Sequence, residues 1–272
     1  MKSSSKYLVP RIALATFAVA LFVAQWILGA FPVWFFAAPI NFVVGALWLA
    51  LLVEGFRRRE SLSFIKYLLT AEATYVALGV ATLISVVLGL QSDPATASWP
   101  VVGGAIYVLT ILTLVVLRGW RNEKGVRWRF LATHCGLWLA VASMLFGAPD
   151  KQVLRARVSS EPTREAVNEL GEISFLDYEL RLDKFEMERA ENGTPQMFRA
   201  SVAVDGKVVE IEVNSPYSHR YGEDIYLVSY EAESCILQIV REPWRVVTVV
   251  GIALLLLGAA LLFMKGFGGA KQ

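Results

Sequence analysis

The sequence predicts a polytopic α-helical membrane protein with about six transmembrane helices and a small extracytoplasmic β-rich domain between helices 5 and 6. The first observation is composition: of the 272 residues, 56% are hydrophobic and only 18% are charged, which is too little charge for the surface of a soluble domain of this length. The second is a series of long apolar stretches. The third is one long polar segment, 149–244, in which apolar and polar residues alternate as in β-strands.

Each apolar stretch is long enough to cross a bilayer, because about 20 residues of α-helix span the hydrocarbon core. The predicted spans are 12–30, 33–54, 66–90, 100–117, 129–148 and 246–264. Basic residues precede the first stretch, as in a signal peptide, but its length and its direct passage into the next span favour an uncleaved helix. These spans divide the chain into a five-helix transmembrane region over 1–148, an extracytoplasmic domain over 149–244, and a final helix with a short tail over 245–272.

The loops predict the orientation. Three basic residues precede the first span, four lie between the second and third, and five lie between the fourth and fifth, whereas the loops at 31–33 and 91–99 contain none. Because cytoplasmic loops carry the excess of Lys and Arg, the N-terminus, both basic loops and the C-terminal tail are expected in the cytoplasm. The polar segment then lies outside.

This external segment has the signals of a small antiparallel sheet. Alternation and β propensity predict strands over 173–189, 198–204, 209–213, 225–230 and 235–240. Asp205-Gly206 is a two-residue hairpin turn, and a second turn is expected at 191–193. The polar stretch 151–170 is expected to begin with a short helix or a linker. A small sandwich or half-barrel is the predicted architecture.

One ionisable side chain, His134, lies inside the fifth predicted span. It follows Arg129 by five residues, which places it about 8 Å inside the cytoplasmic leaflet at 1.5 Å per residue. Phe130, His134 and Trp138 share one side of the helix. Small residues form a stripe suited to close helix packing on another side: Ala132, Gly136, Ala140, Ser143 and Gly147. The imidazole and indole suit a planar apolar ligand such as haem, or His134 serves only as a hydrogen-bonding residue between helices.

The remaining candidate residues give weaker signals. Glu72 is expected in the same leaflet as His134. It either accepts a proton from the distal nitrogen of His134 and so orients the imidazole, or reaches the cytoplasmic interface or pairs with a basic loop residue. Cys135 and Cys235 fall on opposite sides of the predicted topology, which excludes a disulfide between them. His219 is expected to be a surface turn residue. No nucleophile elbow, P-loop or HExxH pattern occurs, so the sequence contains no catalytic constellation.

Two segments resemble a known family. VNSPYSHRYGEDIYLVSYE, followed by CILQIVREPWRVVTVVGIALLLLGAALLF, resembles the ResB (CcsB) proteins of system II cytochrome c maturation, in which an Asn-x-Pro turn, a Gly, a strand with an exposed Tyr and a Pro-aromatic pair precede the last helix. The matching residues are Asn214, Pro216, Gly222, Tyr226, Pro243 and Trp244. RFLATHCGLWLAVASMLFGAPDKQVLR resembles the helix that leads into the external domain in compact members. The resemblance covers 127–264.

The resemblance implies a function and partners. ResB-like proteins work in the bacterial inner membrane with a CcsA-type protein that carries a tryptophan-rich WWD segment. The pair takes haem b from the cytoplasmic side, holds it between one histidine from each protein, and passes it outward for attachment to the CxxCH cysteines of apocytochrome c. This chain has no WWD tract, so it is similar to the ResB half alone, a non-catalytic or co-catalytic subunit of a cytochrome c synthase. No nucleic-acid partner is implied.

By the same resemblance, His134 is the candidate axial ligand of the haem iron and Trp138 a candidate haem contact. The external domain is far shorter than in many members, which leaves its share in docking apocytochrome open. Two other functions remain alternatives: an assembly or scaffold subunit that binds no haem, and a transporter or channel subunit. The latter needs polar pore-lining residues, which the first, second and last predicted spans almost entirely lack.

Overall fold

A computed structural model gives the structure of the chain. It describes residues 7–90, 97–123, 125–189, 195–231 and 233–266. The chain divides into two compact units, one formed by Met1–Pro149 with Val246–Gln272 and the other by Asp150–Arg245. We call the first the membrane unit and the second the sheet unit.

The membrane unit is helical. Among the described residues, six helices are long and apolar enough to cross a membrane. Together with the sheet between the fifth and sixth of them, they confirm the predicted fold class. The helices are α1 Leu8–Leu28, α2 Ile40–Arg57, α3 Ser63–Leu68, α4 Ala71–Leu90, α5 Trp99–Gly119, α6 Trp128–Gly147 and α7 Arg245–Gly266. Only α3 is too short to be a span.

Helix α5 lies at the centre of the membrane unit. It packs against α1, α2, α4 and α6, and it contributes the buried side chains Leu109, Ile111, Leu112 and Leu114. Helix α1, by contrast, has no buried residue within its most apolar 18-residue segment. Because lipid solvates apolar side chains as well as a protein core does, the outer faces of such helices need no protein cover.

Two predicted spans have different boundaries in the structure. The stretch expected to be helical from residue 33 forms only a short 3₁₀ helix, Val33–Phe36, and α2 begins after Pro39, since proline lacks an N–H and the residue before it avoids helical angles. The span predicted as 66–90 is two helices, α3 and α4. Thr70 separates them, and its hydroxyl accepts a hydrogen bond from the backbone N–H of Ala73, capping α4.

The sheet unit is a single antiparallel sheet of eight strands. Its strands are β3 Gln152–Val158, β4 Thr163–Asn168, β5 Ile173–Arg189, β6 Pro195–Val204, β7 Lys207–Glu212, β8 Tyr217–Arg220, β9 Glu223–Glu231 and β10 Ser234–Arg241. Strands β1 Arg121–Asn122 and β2 Gly125–Val126 form a separate hairpin between α5 and α6, in the membrane unit. The order is β7-β6-β5-β4-β3-β10-β9-β8. The end strand β7 contacts β8 and β9 at the other end of the sheet order, so the sheet curls on itself and is nearer the predicted half-barrel than the sandwich.

The helix or linker predicted for 151–170 is wrong. This stretch forms β3 and β4, and β3 pairs with β10 in the middle of the sheet. Leu154, Ala156 and Val158 are buried in the sheet core, and Arg155 and Arg157 alternate with them on the other face. The period of two was present in the sequence, but the charged residues between the apolar ones obscured it.

The other sheet predictions have mixed outcomes. The hairpin turn is confirmed, since Asp205 and Gly206 both have positive φ angles, 50° and 79°, as a two-residue turn of this kind requires. The turn predicted at 191–193 lies outside the described residues. Cys135 and Cys235 are both free thiols, and burial raises the pKa of Cys235 to about 11.

Candidate functional site

Helix α6 presents its aromatic residues and its histidine on one face. Phe130, His134 and Trp138 follow one another at four-residue spacing, which aligns them on a helix; we call these three residues the His134 face. The structure turns this face toward α5. The Phe130 ring packs against Gly119, and Nε1 of Trp138 donates a hydrogen bond of 2.8 Å to Oγ1 of Thr113.

The imidazole of His134 has one nitrogen held and one available. Nδ1 lies 2.9 Å from the backbone carbonyl oxygen of Phe130. A carbonyl only accepts hydrogen bonds, so in a neutral ring Nδ1 carries the proton and Nε2 keeps its lone pair. No residue that the structure describes forms a hydrogen bond with Nε2. A nitrogen in this state, oriented by a backbone carbonyl at the other nitrogen, is the usual form of a histidine metal ligand.

A stack of planar groups fixes the orientation of the imidazole. The Phe130 and His134 rings lie 4.0 Å apart, centroid to centroid, at an interplanar angle of 24°. On Phe130 lies the guanidinium of Arg127, whose Cζ is 4.7 Å from the ring centroid. Stacking and the Nδ1 hydrogen bond together restrict both side-chain torsions of His134, so Nε2 points in one direction.

The opposite side of α6 is fixed by close contact with α7. A Cβ atom on Gly136 would lie 2.5 Å from the backbone nitrogen of Leu255 and 2.7 Å from the carbonyl oxygen of Gly251. Further along, the hydroxyl of Thr248 donates a hydrogen bond of 2.9 Å to Ser143. The prediction that the small-residue stripe packs against another helix is therefore confirmed, and it leaves the His134 face free of α7.

Glu72 pairs with a basic residue and not with His134. Its two carboxylate oxygens accept hydrogen bonds from Nε and Nη2 of Arg11 at 2.8 and 2.6 Å, and the Tyr67 hydroxyl lies 3.4 Å away. Among the described residues no hydrogen bond joins Glu72 to His134. Pairing with a basic residue was one of the expectations for Glu72, but the partner, Arg11, lies in helix α1 and not in a loop.

Among the described residues of the membrane unit, His134 is the side chain whose chemistry suits an iron ligand. Within the described part of the chain, no group of three or more His, Cys, Asp or Glu side chains is placed to hold a metal ion. Haem iron needs only axial ligands from protein, because the porphyrin supplies the other four. The chemistry of His134 therefore fits one axial ligand of a haem.

The end of the membrane unit at which α6 begins is strongly basic. Arg118 donates to the carbonyl oxygen of Leu69 over 2.6 Å, and Arg129 to that of Leu261 over 3.4 Å on the side of α7. Arg127 belongs to the His134 side of α6 and donates to the carbonyl oxygen of Gly119 over 3.2 Å. Positive charge thus concentrates at the end of the helix nearest the imidazole.

The sheet unit contains a separate cluster of ion pairs. Glu223, only 2% exposed, accepts hydrogen bonds from Nε of Arg241 and, over 3.1 Å, from Nη2 of Arg220. Asp177 pairs with Arg220 at 2.6 Å and with Arg241 at 3.3 Å. The hydrogen bond from Arg220 lowers the pKa of Asp177. Each described acid in this cluster has an arginine partner, so the cluster is a structural network between strands.

His219 belongs to the sheet and is not the surface turn residue that was expected. It lies in β8, is half-buried, and its ring centroid is 4.3 Å from that of Tyr178 and 6.3 Å from that of Tyr217. Burial, followed by the charge of the nearby Glu223, raises the pKa of Tyr178. The aromatic neighbours give His219 a packing role.

The motif residues in 214–244 have conformational roles. Gly222 has φ +77°, and a Cβ there would lie 2.8 Å from the carbonyl oxygen of Glu242, so only glycine fits. Nε1 of Trp244 donates to Oδ2 of Asp150 over 2.6 Å, tying together the two ends of the sheet unit. Tyr226 is half-buried and not exposed as the resemblance implied.

Sequence reasoning missed three residues that hold α6 or its side chains. Thr113 holds Trp138, and Arg127 stacks on the His134 face. The buried amide of Asn41 donates to the carbonyl oxygen of Phe146 over 2.8 Å and joins α2 to α6. An isolated Asn or Thr in an apolar span was a detectable signal, because polar groups in lipid need partners. The sequence did not show, however, which helix supplies the partner.

Comparison with known proteins found a matching family model and similar solved structures. The model of the ResB-like family matches residues 123–237, from the β1–β2 hairpin through α6 to β10. Among solved structures, a cytochrome c haem lyase, CcmF, is similar with a TM-score of 0.39 and 11% identity, over 82% of this chain and 45% of that protein's chain. No curated protein matches. Through α6 and most of the sheet unit that follows it, this chain is similar to the ResB-like family.

Proposed function

We propose that this chain carries haem b across the membrane and supports its covalent attachment to apocytochrome c, as the ResB-like subunit of a system II complex with a CcsA-type partner. One observation carries the proposal: in a helix long enough to span the membrane, His134 has Nδ1 bonded to a carbonyl and Nε2 without a partner among the described residues. An intramembrane imidazole in this state is costly unless it binds something.

The surroundings of His134 suit a large planar cargo. Phe130 lies parallel to the imidazole, and Trp138 extends the same face by one turn. The Trp138 N–H is already bonded to Thr113, so the indole offers a ligand only its apolar surface. His134 would be one axial ligand of the iron, and the CcsA-type partner would supply the other. The haem is cargo here, and its attachment chemistry is assigned to the complex.

The proposal includes an orientation. Arg57, Arg118 and Arg127 lie at the ends of helices α2, α5 and α6 that the positive-inside rule assigns to the cytoplasm. The sheet unit, which follows α6 and precedes α7, then lies on the outer side, where apocytochrome c with its CxxCH motif receives haem. His134, one to two turns into α6, would take haem from the cytoplasmic half of the membrane.

Spectroscopy of the purified complex tests the haem assignment. The full chain is co-purified with its CcsA-type partner, and visible spectra are compared for the wild type and His134→Gly. We expect loss of the low-spin bis-histidine spectrum in the variant and its return when imidazole fills the space left by the side chain. The matched control is His219→Gly, which removes the other histidine of the chain and should leave the spectrum intact. An unchanged spectrum in His134→Gly would refute the assignment.

A scaffold function without haem is the second candidate, and one observation favours it. The Trp138–Thr113 hydrogen bond and the contact of Phe130 with Gly119 are packing contacts between α5 and α6, and His134 could serve only to stabilise them. In that case His134→Gly would lower the yield of folded complex without changing the spectrum of the haem that remains, and added imidazole would restore nothing.

Cysteine labelling tests the orientation. Lys207 and Ser61 are exposed residues of the sheet unit and of the loop between α2 and α3. In intact cells a membrane-impermeant maleimide should label Lys207→Cys, and should label Ser61→Cys only after lysis. The unsubstituted chain is the control for its native thiols, of which Cys235 is buried and Cys135 half-buried. The reverse labelling pattern would overturn the orientation.

A further inference from the structure

Arg127 lies on the same side of α6 as His134, two turns nearer the helix start. Their separation of seven positions corresponds to about 10 Å along the axis, and residues at this spacing share a helix face. The contacts agree: the Arg127 guanidinium lies over Phe130, 4.7 Å from Cζ to the ring centroid, and Phe130 lies 4.0 Å from the imidazole. Cation, phenyl ring and imidazole thus form one continuous surface.

The Arg127 side chain keeps most of its hydrogen-bonding capacity. A guanidinium has five N–H donors in its plane, and stacking on Phe130 uses its face, not its edge. Only one bond engages that edge within the described part of the chain, from Nη1 to the carbonyl oxygen of Gly119 over 3.2 Å. Arg129, by contrast, bonds to Leu261 on the α7 side. Arg127 is therefore the cation available on the His134 face.

The ligand of the proposed function has a matching charge pattern. Haem is apolar over most of its surface but carries two carboxylates on one edge. A carboxylate held at a membrane interface without a partner is strongly disfavoured, and arginine binds carboxylates through two parallel hydrogen bonds. If Nε2 of His134 holds the iron, the carboxylate edge finds a cation only toward the start of α6. The other direction leads past Trp138 into the apolar part of the helix.

We infer that Arg127 binds the carboxylate edge of haem and so sets the direction in which haem lies on the His134 face, with its carboxylates toward the basic end of α6. The inference rests on the proposed function, because it takes haem as the ligand. Arg127 is a positioning residue here. It does not contact the iron, and it restricts the rotation of the macrocycle about the iron–Nε2 bond.

Binding of haem and of its dimethyl ester tests the inference, because the ester keeps the iron and the ring but lacks the charged carboxylates. The full-length chain in detergent, wild type and Arg127→Gln, is titrated with each compound while the Soret band is followed. We expect wild type to bind haem at least about tenfold more tightly than the ester, the range for hydrogen bonds to charged groups. Arg127→Gln should lose this preference while binding the ester as wild type does, and that unchanged binding also shows that the variant is folded.

Two further variants complete the design. Arg121→Gln removes the same charge from an exposed position in β1, on the hairpin that precedes Arg127, and should keep the preference for haem. Arg127→Lys, which keeps the charge but not the paired donors, should retain part of it. Equal losses in Arg121→Gln and Arg127→Gln would overturn the inference in favour of general charge attraction. Equal weakening of haem and ester by Arg127→Gln would overturn it in favour of a packing role.

The proposed function fails in a different way. If wild type binds no haem, or if His134→Gly binds haem with an unchanged affinity and spectrum, the proposed function is refuted and this inference with it. If binding depends on His134 while Arg127→Gln keeps the preference for haem over the ester, the proposed function stands and only the assignment of Arg127 is refuted.

Discussion

The membrane unit and the sheet unit hold their polar groups in opposite ways. In the sheet unit, charged side chains of different strands pair with one another, as Glu223 and Asp177 do with Arg220 and Arg241. In the interior of the membrane unit, single polar side chains bond to a carbonyl or to one hydroxyl on a neighbouring helix, as Asn41 does with Phe146. Water can hydrate the edges of a network of charges, whereas lipid offers polar groups no hydrogen-bond partner.

This difference shows where to look for function. In the sheet unit an ionisable residue is ordinary, and His219 among its aromatic neighbours needs no ligand. Within the spans, a polar group that lacks a partner is exceptional, and the Nε2 atom of His134 meets none among the described residues. The same residue type thus has two meanings in one chain, decided by the solvent that surrounds it.

The largest expected effect is in the sheet network. Replacing Glu223 with Ala leaves Arg220 and Arg241 without their shared buried carboxylate, and we expect a loss of about 3 kcal/mol in local stability, the low end for breaking a buried ion pair. Hydrogen exchange of the β9 and β10 amides in the full chain measures this loss of stability. We expect these amides to exchange faster than in wild type by about a hundredfold or more.

Glu179→Ala is the control for this change. Glu179 pairs with Arg164 at 2.9 Å, but both side chains are about half exposed, and such pairs contribute less than about 1 kcal/mol. If the two substitutions accelerate exchange equally, the sheet network has no special weight and the contrast between the units is weaker than the geometry implies.

The next effect is in the helix packing of the membrane unit. Gly136→Ala places a Cβ against the backbone of Leu255 and Gly251, which cannot move without separating α6 from α7. We expect a cost of about 1–3 kcal/mol, typical of overpacking, measured as a lower midpoint for thermal unfolding in detergent. Gly79→Ala in α4 is matched, because its Cβ meets nothing within 4 Å. It should be neutral or slightly stabilising, and a similar loss there would contradict the packing argument.

The comparison also explains what could be predicted from the sequence. The spans follow from local composition, and β5 over Ile173–Arg189 follows from alternation within one stretch. Strand β3 was missed because Arg155 and Arg157 gave its stretch a polar composition although Leu154 and Ala156 are buried. Composition describes a stretch as a whole, whereas burial is decided residue by residue.

The part of the site that lies on a single helix, α6, could be predicted from the sequence. Because residues four apart share a helix face, His134 and Trp138 were placed together from sequence, and so was the small-residue stripe. The hydrogen-bond partners on other helices could not be predicted. Thr113 is 25 residues from Trp138, and Glu72 is 61 residues from Arg11, and no periodicity connects such pairs.

A smaller effect tests the single hydrogen bonds of the membrane unit. Trp138→Phe removes the donor and Thr113→Val the acceptor of one bond, and a double-mutant cycle should give a coupling of about 1 kcal/mol. In Trp138→Phe the Thr113 hydroxyl is still satisfied, because it donates to the carbonyl oxygen of Leu109 over 2.8 Å, so the cycle reports the bond alone. Thermal unfolding of the four proteins in detergent measures it, and a coupling of zero would show that the indole is held by packing.

The smallest effect is a pH dependence confined to the sheet unit. The hydrogen bond from Arg245, followed by one from Ser218, lowers the pKa of Asp224 below its ordinary 3.8, and its side chain is 10% exposed. Since the carboxyl titrates lower in the folded state, the ionised group adds stability that is present above its unfolded pKa and is lost as pH falls through its folded pKa.

Hydrogen exchange of β9 between about pH 6 and about pH 3, corrected for the intrinsic rate, measures this loss. Asp224→Asn should be less stable than wild type at the upper end and should lose less on acidification, because it has no charge there to neutralise. Asp205→Asn, in the exposed turn between β6 and β7, should follow wild type. If Asp224→Asn and wild type lose stability in parallel, the Arg245 contact is not a stabilising ion pair. The sheet unit would then depend for its polar stability on the Glu223 network, and its contrast with the membrane unit would rest on one cluster.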